Sequence, residues 1–218
     1  MLENKMRKFT KEDIDSIRKP WVWDLGNRIL YEMCRSYPGH TEHDEIIAKI
    51  WLIGRSYAAA IERRKNAKHI GDDFYESVVA PTMRSQPIDL WLDSIQNTDK
   101  SGCAKTVVIH KKLMELFQSI TDLEKRSLAA KYLHFHKPNA FFIYDSRARQ
   151  AITKVVPRLN EIPELKADDY DTEYRDFVRR CVWLRDHVQK SLGTELTPRE
   201  IDKLLLMIAN DEIRTQTK

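Results

Sequence analysis

The chain has 218 residues, 32% of them charged and 42% hydrophobic, with only 6 Gly and 8 Pro and a formal net charge of +4 at pH 7. That length is enough to bury a sizeable core, and so little Gly and Pro argues against a turn-rich β architecture, so the fold is expected to be all-α. The mild basic excess permits a phosphate-binding face without requiring one.

Three cysteines, Cys34, Cys103 and Cys181, lie far apart with no C-x-x-C pair, so no zinc ribbon or cysteine-ligated cluster is encoded locally, and no cofactor or metal is expected. The opening segment MLENKMRKFTKEDID lacks the apolar core of a signal peptide. No window approaches the ~18 uninterrupted apolar residues of a membrane span, so a cytoplasmic protein without a membrane partner is expected.

In chain order, Thr10 and Asp13 read as a capping box opening a short helix that stops before Pro20. Leu25, Ile29, Leu30 and Met33 recur at helical spacing over 23–36. Thr41 and Asp44 repeat the capping signature, and an apolar stripe from Ile46 to Ile61 predicts a long central helix reaching about Arg64. Gly54, Ala58, Ala59 and Ala60 lack bulk, which invites close approach of another helix. A helical pattern over 74–80 is interrupted by Pro81, and a short helix over 88–95 is expected to turn Leu90, Trp91, Leu92 and Ile95 inward.

Residues 104–120 again suit a helix, and Asp122 is a plausible cap for the next, 122–136. Phe141, Phe142, Ile143 and Tyr144 then predict an extended, buried strap, followed by a helix that ends at Pro157. Residues 159–169 read as irregular, 170–192 as helix. Thr197, Pro198 and Glu200 mark a strong start for a last helix to about Asn210. About ten helices in a single all-helical domain over 1–218 is the expected architecture, either undivided or as two interleaved helical subdomains with a cleft between them.

The chemistry concentrates in SLAAKYLHFHKPNAFFIYDSRAR, residues 127–149. Lys131 stands three residues after Leu128 and four before Phe135, at the border of an apolar helix face. Partial burial there disfavours the ammonium and brings the amine toward nucleophilicity. Asp145 directly follows the strap, which carries its carboxylate back toward Lys131; such a pair suits reaction at a sugar carbon through an oxocarbenium-like state. Two plainer roles stay open: Asp145 as an N-cap for the following helix, and Lys131 as a side chain laying its stem on apolar surface. Lys125, Arg126, Lys137, Arg147, Arg149 and Lys154 surround the stretch as candidate phosphate contacts, and His134 and His136 as candidate cleft residues.

This order of helical lysine, apolar strap and helix-opening aspartate resembles the catalytic region of the helix-hairpin-helix DNA glycosylase superfamily, over roughly residues 105–211. The closing phrase TPREIDKLLLMIA is similar to the last helix of some members. The resemblance implies an all-helical fold, DNA as partner, base-excision hydrolysis in DNA repair, Asp145 as the essential carboxylate, and Lys131 as the Schiff-base lysine of bifunctional members. The family's hairpin carries a glycine-rich turn, whereas residues 117–127 contain no glycine. The lysine-to-aspartate interval is also short for the family.

An alternative constellation is Arg64-Lys65-Asn66-Ala67-Lys68-His69, an R-x4-H pattern resembling the metal-independent helical RNases of the HEPN superfamily, with Arg64 and His69 as catalytic pair and RNA as substrate. A third reading is a non-catalytic helical module that binds nucleic acid or protein.

Overall fold

The computed structural model describes residues 7–63, 73–95 and 103–216. Helix α1 (Lys11–Arg18) opens as expected, because Thr10 accepts from the Asp13 N–H and Asp13 accepts in return from the Thr10 N–H. Helix α2 (Asp24–Ser36) follows, but its buried face is Asn27, Leu30 and Cys34. Leu25 and Ile29 point outward with Val22 and Trp23. The rotation follows from the polar partner: Tyr57 donates to Asn27 Oδ1 at 2.7 Å, which draws Asn27 inward.

Helix α3 (His43–Ser56) is shorter than the apolar stripe predicts, and Glu42 at its N-cap position makes no side-chain capping bond, so the expected Thr41 cap does not form. The chain folds back after Tyr57 through Ala58, whose φ of 50° is left-handed. Ala59 then donates to the Gly54 carbonyl at 2.8 Å. A Cβ on Gly54 would lie 2.9 Å from Ala60 Cα. The small residues thus admit the helix's own continuation rather than a second helix. A wide π-type turn over Tyr75–Val79, closed by Ala80 N–H to Tyr75 O, leads into α4 (Ala80–Arg84). The wider turn accommodates Pro81, whose missing N–H and ring oppose a regular α-turn. In α5 (Ile88–Asp93) Ile88 and Leu92 are buried, while Leu90 faces solvent.

Helix α6 (Cys103–Thr121) ends in a tight reversal. Asp122, expected to cap the next helix, instead adopts φ 57°, the left-handed conformation that glycine takes most readily and Asp and Asn more readily than other residues. The hairpin turn is therefore made without glycine. Helix α7 (Arg126–His136) starts four residues later than expected, and α8 (Ser146–Val155) follows the strap. The irregular 156–171 segment is tied to α9 (Thr172–Leu192) by Arg179, which donates to the carbonyls of Leu159, Ile162 and Pro163. Helix α10 (Pro198–Gln216) begins in a reciprocal box between Thr197 and Glu200.

The described residues are thus all-helical, with ten α-helices and no strand. Their apolar side chains form two clusters. One unites α1, α8, α9 and α10; the other unites α2 to α5 with most of α6. Helix α7 and the strap belong to both: Ala130 faces the first cluster and Ala129 the second, and Phe142 and Tyr144 face the first while Phe141 faces the second. That alternation is what an extended segment imposes on successive side chains. All three cysteines are buried thiols. No described helix is long and apolar enough to cross a membrane.

Candidate functional site

The strap 141–144 has no neighbouring strand, so its backbone needs other hydrogen-bond partners. Three side chains from two helices, α7 and α9, supply them. His134 Nδ1 lies 2.8 Å from Phe141 O, Tyr174 OH donates to Phe142 O at 3.1 Å, and Ser127 Oγ donates to Tyr144 O at 3.1 Å. A carbonyl only accepts, so the His134 proton sits on Nδ1, and Nε2 accepts from Tyr31 OH at 2.6 Å. Burial of four large side chains, each contributing about 2 kcal/mol, anchors the strap. Its direction fixes where Asp145 begins α8.

Asp145 is held extended at φ −153°, ψ 175°. Its Oδ1 accepts from Ala148 N at 2.9 Å, the expected cap. Its Oδ2 faces Lys131 Nζ at 3.8 Å. Lys131 is 2% exposed, so the amine is inside the fold and not laid over its surface. Lys131 donates to Ser127 Oγ at 2.8 Å and lies 5.4 Å from the centre of the Tyr57 ring. Burial pulls its pKa below the ordinary lysine value, while Asp145 and Asp202 oppose that shift. The carboxylate side chain is 27% exposed, so solvent reaches Asp145 more readily than the amine. Ser127 also lines a cavity of about 400 Å³ with Ala58, Ala60, Arg63 and Lys125.

Two groups from α10 complete the cluster. Asp202 is 2% exposed and ion-paired with Arg199, one turn earlier. Burial, reinforced by Asp145, raises its carboxyl to about 6, with Arg199 and Lys131 opposing. Neither Asp202 nor Arg199 was singled out from the sequence. The available signal was an aspartate set in the apolar run between Ile201 and Leu204, a position a solvated charge avoids. Ser127, four residues before Lys131 on the same helix face, was also legible by spacing.

The surrounding basic residues do not gather into one free face. Arg126 is bound through Nε and Nη2 to Asp171, with Glu124 and Glu173 beside it. Arg147 donates to Asn210, and Arg149 pairs with Glu173 at 3.3 Å. Lys125 donates to the Arg63 carbonyl beside the Ser127 cavity. His134 is fully buried and serves the strap, so it is not an exposed cleft residue. His136 and Lys137 line a separate cavity of about 630 Å³ with Tyr31, Cys34 and Asp89. Arg64 and His69 lie outside the described residues. No group of three His, Cys, Asp or Glu among the described residues is arranged to hold a metal ion. No family model, curated protein or solved structure matches the chain.

Proposed function

We propose that the chain is a helix-hairpin-helix glycosylase-like protein that acts on a base–sugar bond in DNA. The observation that carries this reading is the Lys131–Asp145 pair, 3.8 Å apart across the strap at the border of the two apolar clusters. The left-handed Asp122 supports it as well, because a hairpin turn needs that backbone conformation and aspartate tolerates it where the family uses glycine.

In this reading Asp145 uses Oδ2 at the sugar, where its charge stabilises the cation that develops at C1′ as the base leaves with the bonding electron pair. Its Oδ1 stays with the helix cap, which fixes the carboxylate plane. Water attack at C1′, with loss of a proton, completes hydrolysis. The second route adds Lys131: as a neutral amine it forms the bond to C1′ instead of water, and loss of its proton with ring opening gives an imine. The lowered lysine pKa favours that route, and its burial requires the amine to leave Ser127 first.

The test is base release and borohydride trapping on a panel of lesion-containing duplexes. Base release that disappears in Asp145→Asn, and a trapped species that disappears in Lys131→Ala, are expected. Salt-sensitive DNA binding with no base release from any duplex would overturn the glycosylase in favour of a non-catalytic module. RNA cleavage lost in His69→Ala would redirect the assignment to a helical RNase.

A further inference from the structure

Ser127 stands one helical turn before Lys131 on α7, so the two side chains share a face, and Lys131 Nζ lies 2.8 Å from Ser127 Oγ. Asp145 Oδ2 lies 3.8 Å from the same amine. Hydroxyl, base and orienting carboxylate are thereby in series, the arrangement that activates a serine nucleophile, with lysine in the place histidine more often takes. Lys131 is 2% exposed, whereas Ser127 is half-buried and lines the cavity of about 400 Å³ with Ala58, Ala59, Ala60 and Leu128. The cavity also meets the N-terminal end of α7. Lys125 at the N-cap position makes no side-chain capping bond, and the first bond of the helical ladder runs from Ala129 N–H to Lys125 O at 2.9 Å. The N–H groups of Ser127 and Leu128 come before it, so neither has a partner inside the helix.

Going beyond the DNA reading, and using the same lysine, we propose that Ser127 is the nucleophile and Lys131 its general base in hydrolysis of a small carboxylic ester held in this cavity. The resting hydroxyl donates to Tyr144 O. In the reaction the neutral amine takes that proton as Oγ bonds to the ester carbon, and the carbonyl π pair moves to oxygen. The N–H groups of Ser127 and Leu128, at the positive end of the α7 dipole, are the donors available to the developing charge. Collapse expels the alkoxide with the C–O bonding pair, and Lys131–NH₃⁺ protonates it. Water then attacks the acyl-serine and gives its proton to Lys131; Ser127 Oγ leaves with the bonding pair and takes the proton back, releasing the acid. Burial pulls the lysine below its ordinary value and so supplies the neutral amine, while Asp145 and Asp202 oppose that shift. Three successive alanines and Leu128 make an apolar wall that suits a short acyl chain. An acyl-serine and a Schiff base exclude one another, because each step consumes the lone pair of the one amine.

The experiment treats the full chain with a fluorophosphonate, which an activated serine attacks at phosphorus with loss of fluoride, and maps the adduct by mass spectrometry. Hydrolysis of p-nitrophenyl acetate is followed alongside. One adduct on Ser127 is expected, absent in Ser127→Ala and in Lys131→Arg, since arginine keeps the charge and can still donate to the serine but accepts no proton. Ester hydrolysis is expected to fall about 100-fold in both variants, the low end of what a general base contributes. No Ser127 adduct in the wild type, an adduct that persists in Lys131→Arg, or equal ester hydrolysis in wild type and Ser127→Ala would each overturn the proposal. If Ser127→Ala does not fold, the wild type decides alone: a probe that attaches elsewhere or nowhere overturns it. Labelling is read without DNA and base release without the probe. A protein that releases a base but takes no label therefore sinks the esterase alone, and one labelled on Ser127 that releases no base sinks the glycosylase alone.

Discussion

At the scale of single residues, Asp145 divides its carboxylate between two tasks. One oxygen holds the N–H of Ala148 and the other faces Lys131. In the glycosylase-like reading, structural and chemical roles are therefore combined in one side chain, and substitution separates them. Asn caps a helix about as well as Asp, whereas Ala does not. Asp145→Ala is expected to be less stable than Asp145→Asn by about 1 kcal/mol in urea unfolding, with base release lost in both. Equal stability of the two variants would show that the cap contributes nothing. The aspartate and the lysine were both legible in the sequence, because a polar residue at the end of an apolar run and a cation at the border of an apolar face are local patterns. Asp202 and Arg199 were not, because their role depends on α10 crossing back over α8 from more than fifty residues away.

At the scale of elements, helix existence follows from apolar spacing, and the starts of α1, α8, α9 and α10 follow from capping residues. The mismatches have specific causes. The stripe from Ile46 to Ile61 continues in the sequence, but α3 stops at Ser56 because the left-handed Ala58 reverses the chain and brings Ala60 onto Gly54. Apolar periodicity carries no record of such a reversal, since both arms of the turn are buried. Ala58→Gly is expected to stabilise the protein by about 1 kcal/mol, the strain of a left-handed alanine removed net of the added chain entropy. Gly54→Ala is expected to destabilise it by about 1–3 kcal/mol, because the new methyl meets backbone that has little room to move. Thermal or urea unfolding of the two variants checks both signs. A destabilising Ala58→Gly with a neutral or stabilising Gly54→Ala would mean that the turn relaxes in solution. The Asp122 turn follows the same logic, with backbone conformation selected by the hairpin and tolerated by the side chain.

At the scale of the whole molecule, packing also captures ionisable groups. Burial lowers His40, His110 and His134 from 6.5 to about 4, so all three are neutral within the fold at pH 7. A histidine with a depressed folded pKa contributes stability that is present above its unfolded value near 6.5 and is lost as pH falls through about 4. Each is expected to cost on the order of 1–3 kcal/mol of unfolding free energy between pH 7 and 4. Asp202 works in the opposite sense, since its raised carboxyl favours the fold at low pH and that contribution is lost as pH rises through about 6. Urea midpoints measured from pH 7 to 4 are expected to fall in the wild type and to fall less steeply in His134→Asn, whose amide still donates to the Phe141 carbonyl. An unchanged slope would show that His134 is already protonated in the fold.

The sequence by itself determined the helical class, most helix positions, the buried strap and the Lys131 and Asp145 positions, because spacing, capping and proline placement act over a few residues. Tertiary structure alone decided the rest. Leu25 and Ile29 were left outside and Asn27 drawn inside because Tyr57 supplies its partner. Arg126 was claimed by Asp171, and Asp202 was buried against Arg199 by the packing of α10 on α8. Those outcomes rest on contacts between residues far apart in the chain, where burial and charge pairing depend on how the elements cross.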